Sequence, residues 1–406
     1  MEDSSSSSSS IICKSASTGL TAAAPDTEWK ACASFDDMQL RTEVLRGIYS
    51  AGYEKPTSIQ ERAIRPASEG RDVIMQAQSG TGKTATFSIA VLQQLDTSLP
   101  HCQAILLSPT RELALQTHRV VSSLGSYMSL KAETAIGGTP KRDDQRRLRK
   151  GCHVLCATPG RVYDLLQDGT LSATHVRMFV VDEVDVMLAE GFVEQVKGVF
   201  DFLPSTVQAM AVSATVSPES MRVADQFLRD PVKILLDDRD VPLKGILQHY
   251  VDCQEERYKY SALADLFKTL SVAQSVIFTN SKQRAEHLAE QMRDDDFCVS
   301  VMHGDMTQEE RNETLRVFSS GCTRVLIATD VVSHGIDVQQ VSVVVNYDMP
   351  LDNRNYLHRI GRCGRFARKG LAINLVTART AYRITELEQA WSHTISELPM
   401  DIASLL

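Results

Sequence analysis

The feature that most narrows the fold is a recurring run of three or four aliphatic residues, rich in Val and Ile, with no polar alternation. Asp72-Val-Ile-Met75, Ala104-Ile-Leu-Leu107, Val154-Leu-Cys156, Met178-Phe-Val-Val181 and Met210-Ala-Val212 form one series, and Ser275-Val-Ile-Phe278, Val325-Leu-Ile327 and Val343-Val-Val345 form another. Each run is too short for a buried helix, and stretches of helical period such as Phe87 to Leu95 and Ala285 to Met292 lie between them. A strand that is apolar on both faces needs cover on both, so the pattern predicts an α/β fold of parallel sheets flanked by helices.

Two series in 406 residues predict two domains. Between them Asp237-Asp-Arg-Asp-Val-Pro-Leu-Lys-Gly245 is charged, carries Pro242 and Gly245, and lacks an apolar period. It predicts a flexible linker over 237–246, joining a domain at 31–236 to one at 247–406. The first 30 residues, with Ser4 to Ser10 and Ala22-Ala23-Ala24-Pro25, hold too little apolar surface to fold and lack the core of a secretory signal. No run of about 18 apolar residues offers a membrane span. The nine cysteines are scattered without a Cys-x-x-Cys pair, which fits small buried hydrophobes in a reducing compartment better than a disulfide or zinc framework. A net charge of −8 argues against an indiscriminate nucleic-acid coat, so any such contact must be local.

In an open parallel sheet, ligand residues collect where strands end. After the first run comes Ala77-Gln-Ser-Gly-Thr-Gly-Lys-Thr84, close to the phosphate-loop pattern but with Ala77 at the usual first glycine. The backbone of Ser79, Gly80, Thr81 and Gly82 would surround phosphates, Lys83 would neutralise them, and Thr84 would ligate magnesium. Asp182 and Glu183 follow a buried strand; Asp182 would hold the Mg2+ shell and Glu183 would orient or deprotonate the attacking water of ATP hydrolysis. Far along the chain, His358-Arg-Ile-Gly-Arg362-Cys-Gly-Arg365 sets three arginines beside a histidine, a composition suited to anions. If Arg362 and Arg365 reach the γ-phosphate across a cleft, hydrolysis requires domain closure.

Taken in order, these motifs resemble the DEAD-box RNA helicases from about Phe35 to Leu406. The set includes Gly52-Tyr-Glu-Lys-Pro-Thr-Ser-Ile-Gln60, Pro109-Thr-Arg-Glu-Leu-Ala114, Gly137-Gly138, Thr158-Pro-Gly-Arg161, Asp182-Glu-Val-Asp185, Ser213-Ala-Thr215, Val276-Ile-Phe-Thr-Asn280, Gln308-x-x-Arg311, Thr329-Asp330 and Gly335-Ile-Asp337. The resemblance implies two tandem RecA-like domains, ATP and Mg2+ as cofactors, and an RNA-stimulated ATPase. Carried onto matching positions, Gln60 would read the adenine edge, Tyr53 would stack on its ring and Phe35 would pack nearby. Gly335 and Asp337 would serve the ribose, and Ser213 and Thr215 would couple nucleotide to closure through Asp185 and His358. The RNA track would comprise Pro109, Thr110, Arg111, Gly138, Thr158, Gly160 and Arg161, with Arg311 and Thr329 from the second domain.

Small residues and helix N-termini suit a sugar-phosphate backbone, whereas reading bases needs long side chains or stacking aromatics, and only 6% of residues are aromatic. Sequence-independent RNA binding follows. Phe35-Asp-Asp-Met38 resembles the translation-initiation branch of the family, while Glu69-Gly-Arg-Asp-Val-Ile74 and Leu398-Pro-Met400 lean towards the exon-junction and ribosome-biogenesis branches. The resemblance therefore implies a monomeric core that remodels RNA or RNA–protein complexes with protein partners of scaffold type, in the cytoplasm or the nucleus. Two positions depart from the family: Val184 stands where alanine is usual, which predicts overpacking beside Glu183, and His334 replaces an arginine. They support an alternative, an impaired ATPase that acts as an ATP-gated RNA clamp.

Overall fold

The computed structural model describes residues 29–77, 80–189, 191–214, 218–236, 246–269, 274–330, 341–363, 370–391 and 393–399. Seven strands form the first sheet: β1 (Val73–Gln76), β2 (Ala104–Leu107), β3 (Ala132–Ala135), β4 (Val154–Ala157), β5 (Met178–Val181), β6 (Gln208–Ser213) and β7 (Val232–Leu235). Seven more form the second: β8 (Ile246–Asp252), β9 (Gln274–Phe278), β10 (Val299–Met302), β11 (Val325–Ala328), β12 (Val341–Asn346), β13 (Gly370–Val376) and β14 (Ser396–Glu397). The orders are β3-β4-β2-β5-β6-β1-β7 and β10-β11-β9-β12-β13-β8-β14, so the same order occurs twice. Neighbouring strands run parallel; β1 aligns Val73 with Met210 of β6, and β9 aligns Val276 with Leu326 of β11. The α/β class read from the apolar runs is the fold observed.

Each sheet is covered on both faces. In the first, Met75, Leu106 and Val180 pack on one side, whereas Ile105, Phe179 and Ala211 pack on the other. The second repeats this with Val276 and Leu326 against Ile277 and Ile327. Parallel strands buried on both faces have no solvent side, which is why the runs carry no alternation. The helical stretches extend to Lys83–Gln94 and Lys282–Asp294, the second begun by Ser281, whose hydroxyl accepts from the Arg284 N–H.

Two expectations need correction. The sequence predicts a linker as far as 246, but Ile246 is buried and opens β8, paired with Gly370 of β13. Residues 237–245 and the first 28 residues lie outside the described set. The aliphatic runs also leave out β3, β7, β8, β10 and β14, and with them β13, all seven of whose residues are buried. Its Ala372 and Asn374 interrupt the β-branched composition that marks the other central strands. Six of the described cysteines are buried and Cys298 and Cys322 are exposed, and all of these thiols are free.

Candidate nucleotide and RNA site

The loop after β1 is shaped by backbone that only glycine enters easily: Gly80 has φ 82° and Gly82 has φ 94°. A Cβ on Gly82 would stand 2.6 Å from Nε2 of Gln60. Gln60 itself is buried and engaged at both ends of its amide. Its Oε1 accepts from the Thr57 N–H at 2.9 Å, closing a capping box, and its Nε2 donates to the Gly82 carbonyl at 3.4 Å. Thr57 Oγ1 donates to the Thr81 carbonyl at 2.8 Å, so the segment carrying Gln60 is fastened to the loop. Lys83 is buried and its Nζ donates to the Ala77 carbonyl at 2.6 Å, while Thr84 is half-buried on the first turn of the following helix. Phe35 is fully buried and meets Tyr49 edge to face at 6.3 Å; Tyr53 is half-buried against the same core.

Only Asp182 and Glu183 separate β5 from the helix Val184–Ala189, and so short a reversal places Glu183 at φ 50°. That left-handed backbone costs a non-glycine residue about 1–2 kcal/mol. Both carboxylates are buried, and Asp182 accepts from the Glu183 N–H at 2.9 Å. Burial first, and then the Glu183 charge, push the Asp182 carboxyl up to about 8 against the pull of Lys83. Oε2 of Glu183 is buried with no hydrogen-bond partner among the described residues. Two desolvated carboxylates with an orphaned oxygen are the donor set a divalent cation satisfies, so the residues fit a magnesium site.

Val184 is buried, yet an apolar cavity of about 20 Å³ lies beside it, bounded by Phe179, Met187, Val196, Ala211 and Phe227. Open space at a residue that lines the cavity argues against the overpacking expected there. Its neighbour Asp185 crosses to the second domain, where its Oδ2 lies 3.6 Å from Nε2 of His358, both side chains being buried. Glu183, Asp185 and His358 bring their polar atoms within 4.8 Å of one another. Ser213 ends β6 and its carbonyl accepts from the Ala77 N–H at 3.3 Å, tying that strand to the phosphate loop.

The three arginines of the His358 segment have separate fates. Arg359 is fully buried: Nε and Nη2 grip Asp330 at 2.5 and 2.9 Å, Nη1 donates to the Asp348 carbonyl at 2.7 Å, and Nη2 also reaches Asn280 at 2.8 Å. Its guanidinium sits 5.2 Å from the centre of the Phe278 ring. Arg359 is therefore a scaffold residue, and the reading of three anion-binding arginines is corrected to exclude it. Arg362 is buried, with Nε donating to the His358 carbonyl at 3.1 Å. Arg365, together with Ser79, Thr215, His334, Gly335 and Asp337, lies outside the described residues.

Pro109, Thr110 and Arg111 follow β2, Gly138 follows β3, and Thr158, Gly160 and Arg161 follow β4, so adjacent strands bring them to one end of the sheet. Thr110 caps its helix by accepting from the Leu113 N–H at 3.2 Å, and Thr158 Oγ1 accepts from the Gly137 N–H at 3.3 Å. A Cβ at Gly138 (φ 79°) would lie 2.3 Å from Arg111, so the bare backbone lets the guanidinium lie across it. Arg161 turns inward, pairing with the buried Asp144 and donating to the Thr139 carbonyl at 2.6 Å. Across the domains Arg311 Nη1 meets Glu112 at 3.3 Å, and Gln308 meets both Glu112 and Arg111 at 3.4 Å. Thr329 follows β11, and its N–H donates to the Met302 carbonyl at 3.3 Å. Sequence reasoning left Glu112, Asp144 and Gln308 out of the site; the available signal was an acid inside the Pro109 motif facing a cationic Gln-x-x-Arg motif in the other half.

Two seven-stranded parallel sheets meeting over a phosphate loop, a pair of buried acids and an arginine segment define a nucleotide-driven motor of the helicase class. Comparison with known families agrees: the DEAD/DEAH box helicase family matches residues 57–223 and the helicase conserved C-terminal domain matches 258–367. The chain belongs to the DEAD/DEAH box helicases. It is similar to eukaryotic initiation factor 4A of Drosophila melanogaster, with 52% identity over 92% of this chain and 93% of that protein. It shares 49% with eukaryotic initiation factor 4A of Caenorhabditis elegans over the same shares. Among solved structures, S. cerevisiae Dbp5 bound to RNA and ADP BeF3 superposes with a TM-score of 0.86 at 34% identity, covering 92% of this chain and 97% of that one.

Proposed function

We propose that the protein is an ATP-dependent RNA helicase and RNA-stimulated ATPase. It binds single-stranded RNA by its backbone and remodels RNA or RNA–protein complexes in translation initiation or in mRNA or rRNA processing. The observation that carries this reading is the closed arrangement of the two sheets. Asp185 with His358 and Glu112 with Arg311 bridge them at two places, one beside the acids and one beside the strand-end loops.

Thr84 and Asp182 would hold Mg2+, which supplies charge neutralisation at the phosphates when bound. Lys83 and the loop backbone bind the phosphates, and Glu183 orients a water and takes its proton on the buried Oε2. Arg362 supplies positive charge from the second domain. Because the bridges near Arg111 and near Asp185 form only when the sheets meet, RNA that favours closure also favours hydrolysis. Gln60 and Tyr53 would face the adenine, with Phe35 as the packed support beneath.

The room beside Val184 takes away the steric reason for an impaired clamp, so turnover is favoured. The test is steady-state ATP hydrolysis with and without single-stranded RNA. RNA stimulation that Glu183→Gln abolishes, with ATP-dependent RNA binding kept, supports the reading. Hydrolysis that survives Glu183→Gln assigns the base elsewhere.

A further inference from the structure

The helix Lys141–Leu148 starts directly after the Gly137–Gly138 loop, at the edge strand β3. From Lys141 to Lys150 there are six cations and two carboxylates, in a chain whose net charge is −8. Arg142, Arg146 and Arg149 are exposed, and their spacing of four and three residues puts them on one face. The opposite side carries Asp144, wholly buried, which accepts from both Arg147 and Arg161.

Other cations of the segment are committed to scaffolding. Lys141 pairs with Asp168 at 2.7 Å, and Arg147 adds Glu133 at 3.2 Å. By contrast Arg142 and Arg149 form no ion pair among the described residues, and Arg146 meets only Asp143, its neighbour on the helix surface, at 2.5 Å. The helix dipole accounts for cations in the last turn. It does not account for Arg142, which sits in the first turn, where a positive charge is disfavoured.

We propose that Arg142, Arg146 and Arg149 form a phosphate-binding stripe that carries an RNA strand onward from Gly138, beyond the core track. The inference rests on the reading of the strand-end loops as an RNA track. Guanidinium groups suit phosphate through paired N–H donors, and Asp144, by holding Arg161 and Arg147, fixes the helix against the Thr158–Arg161 loop so that the stripe is a rigid continuation. Three phosphate contacts on a single strand add about 0.7 each to the slope of log affinity against log salt, or about 2 together.

The test titrates the full-length chain, with a non-hydrolysable ATP analogue, against a short oligouridine and one several times longer, at salt from about 50 to 200 mM. The natural protein should favour the longer strand by about tenfold or more at the lower salt, with a slope steeper by about 2. Replacing Arg142, Arg146 and Arg149 together by Gln should remove both gains and leave short-strand affinity unchanged. If the triple variant misfolds, Arg142→Gln and Arg149→Gln singly should each lower the long-strand slope by about 0.7. Variants that keep the length bonus and the slope overturn the proposal, and so does a stripe whose loss weakens polyglutamate binding but not RNA. Failure of the natural protein to bind either strand instead sinks the RNA-track reading beneath it.

Discussion

The two halves repeat one strand order, but the buried charges at Asp182–Glu183 and at Arg359 are treated in opposite ways. In the first, Asp182 and Glu183 are desolvated together, the Asp182 carboxyl is pushed up to about 8, and a Glu183 oxygen has no partner among the described residues. In the second, Arg359 is just as buried, yet Asp330, Asn280 and the Asp348 carbonyl take up its donors and Phe278 faces its cation. A satisfied buried charge fixes a scaffold, whereas an unsatisfied one stores binding free energy for a ligand. The sites after the leading strands differ in the same sense. β1 leads into the glycine loop and Lys83, while β8 leads into Cys253, Gln254 and a 3-10 turn at Glu256–Tyr258. One scaffold thus hosts the phosphate chemistry, and its repeat supplies the closing half.

Breaking the contrast should give graded effects. Arg362→Ala should lower RNA-stimulated ATP hydrolysis by about 10³-fold or more, beyond any change in melting temperature, if its cation acts on the transferring phosphate as proposed. Arg359→Ala should do the reverse in kind, lowering the stability of the second domain by about 1–3 kcal/mol in denaturant unfolding, because it leaves the buried Asn346 side chain and Asp348 carbonyl without their donor. A stable Arg359→Ala protein that has merely lost turnover would erase the distinction between the two arginines. Val184→Ala should enlarge the neighbouring cavity and reduce the stability of the first domain by about 2 kcal/mol, with no gain in turnover. Recovered or increased hydrolysis would restore the overpacking account.

The smallest effect is a slope. A carboxyl whose folded value is raised from 3.8 to about 8 binds its proton more tightly when folded. The stability it contributes is full below pH about 4 and is lost as pH rises through about 8. Metal-free protein should therefore lose first-domain stability across that window, and Asp182→Asn should flatten the decline. An unchanged slope in the variant would show that Asp182 titrates normally.

Much of the fold was legible because parallel strands buried on both faces leave unbroken aliphatic runs, and short glycine loops with a lysine have few uses. β13 escaped because Ala372 and Asn374 dilute its composition, β14 because two exposed residues carry no pattern, and β3, β7, β8 and β10 because half-buried or exposed residues break their apolar runs. In the site, Lys83, Asp182 and Glu183 stood out by their position after apolar runs. Glu112, Gln308 and Asp144 did not, since each matters only through a partner: Arg311 and Arg111 for the first two, Arg161 for the third.

The sequence by itself determined the α/β class, the phosphate loop and the set of charges that phosphoryl transfer needs, all of which are local patterns. The tertiary structure decided which charges are spent. Arg359 reads as a ligand cation until burial and fixed partners show its donors taken, and Val184 reads as crowded until the space beside it is seen. The partners of Arg359 lie 11 to 79 positions away along the chain, and composition carries no record of those distances.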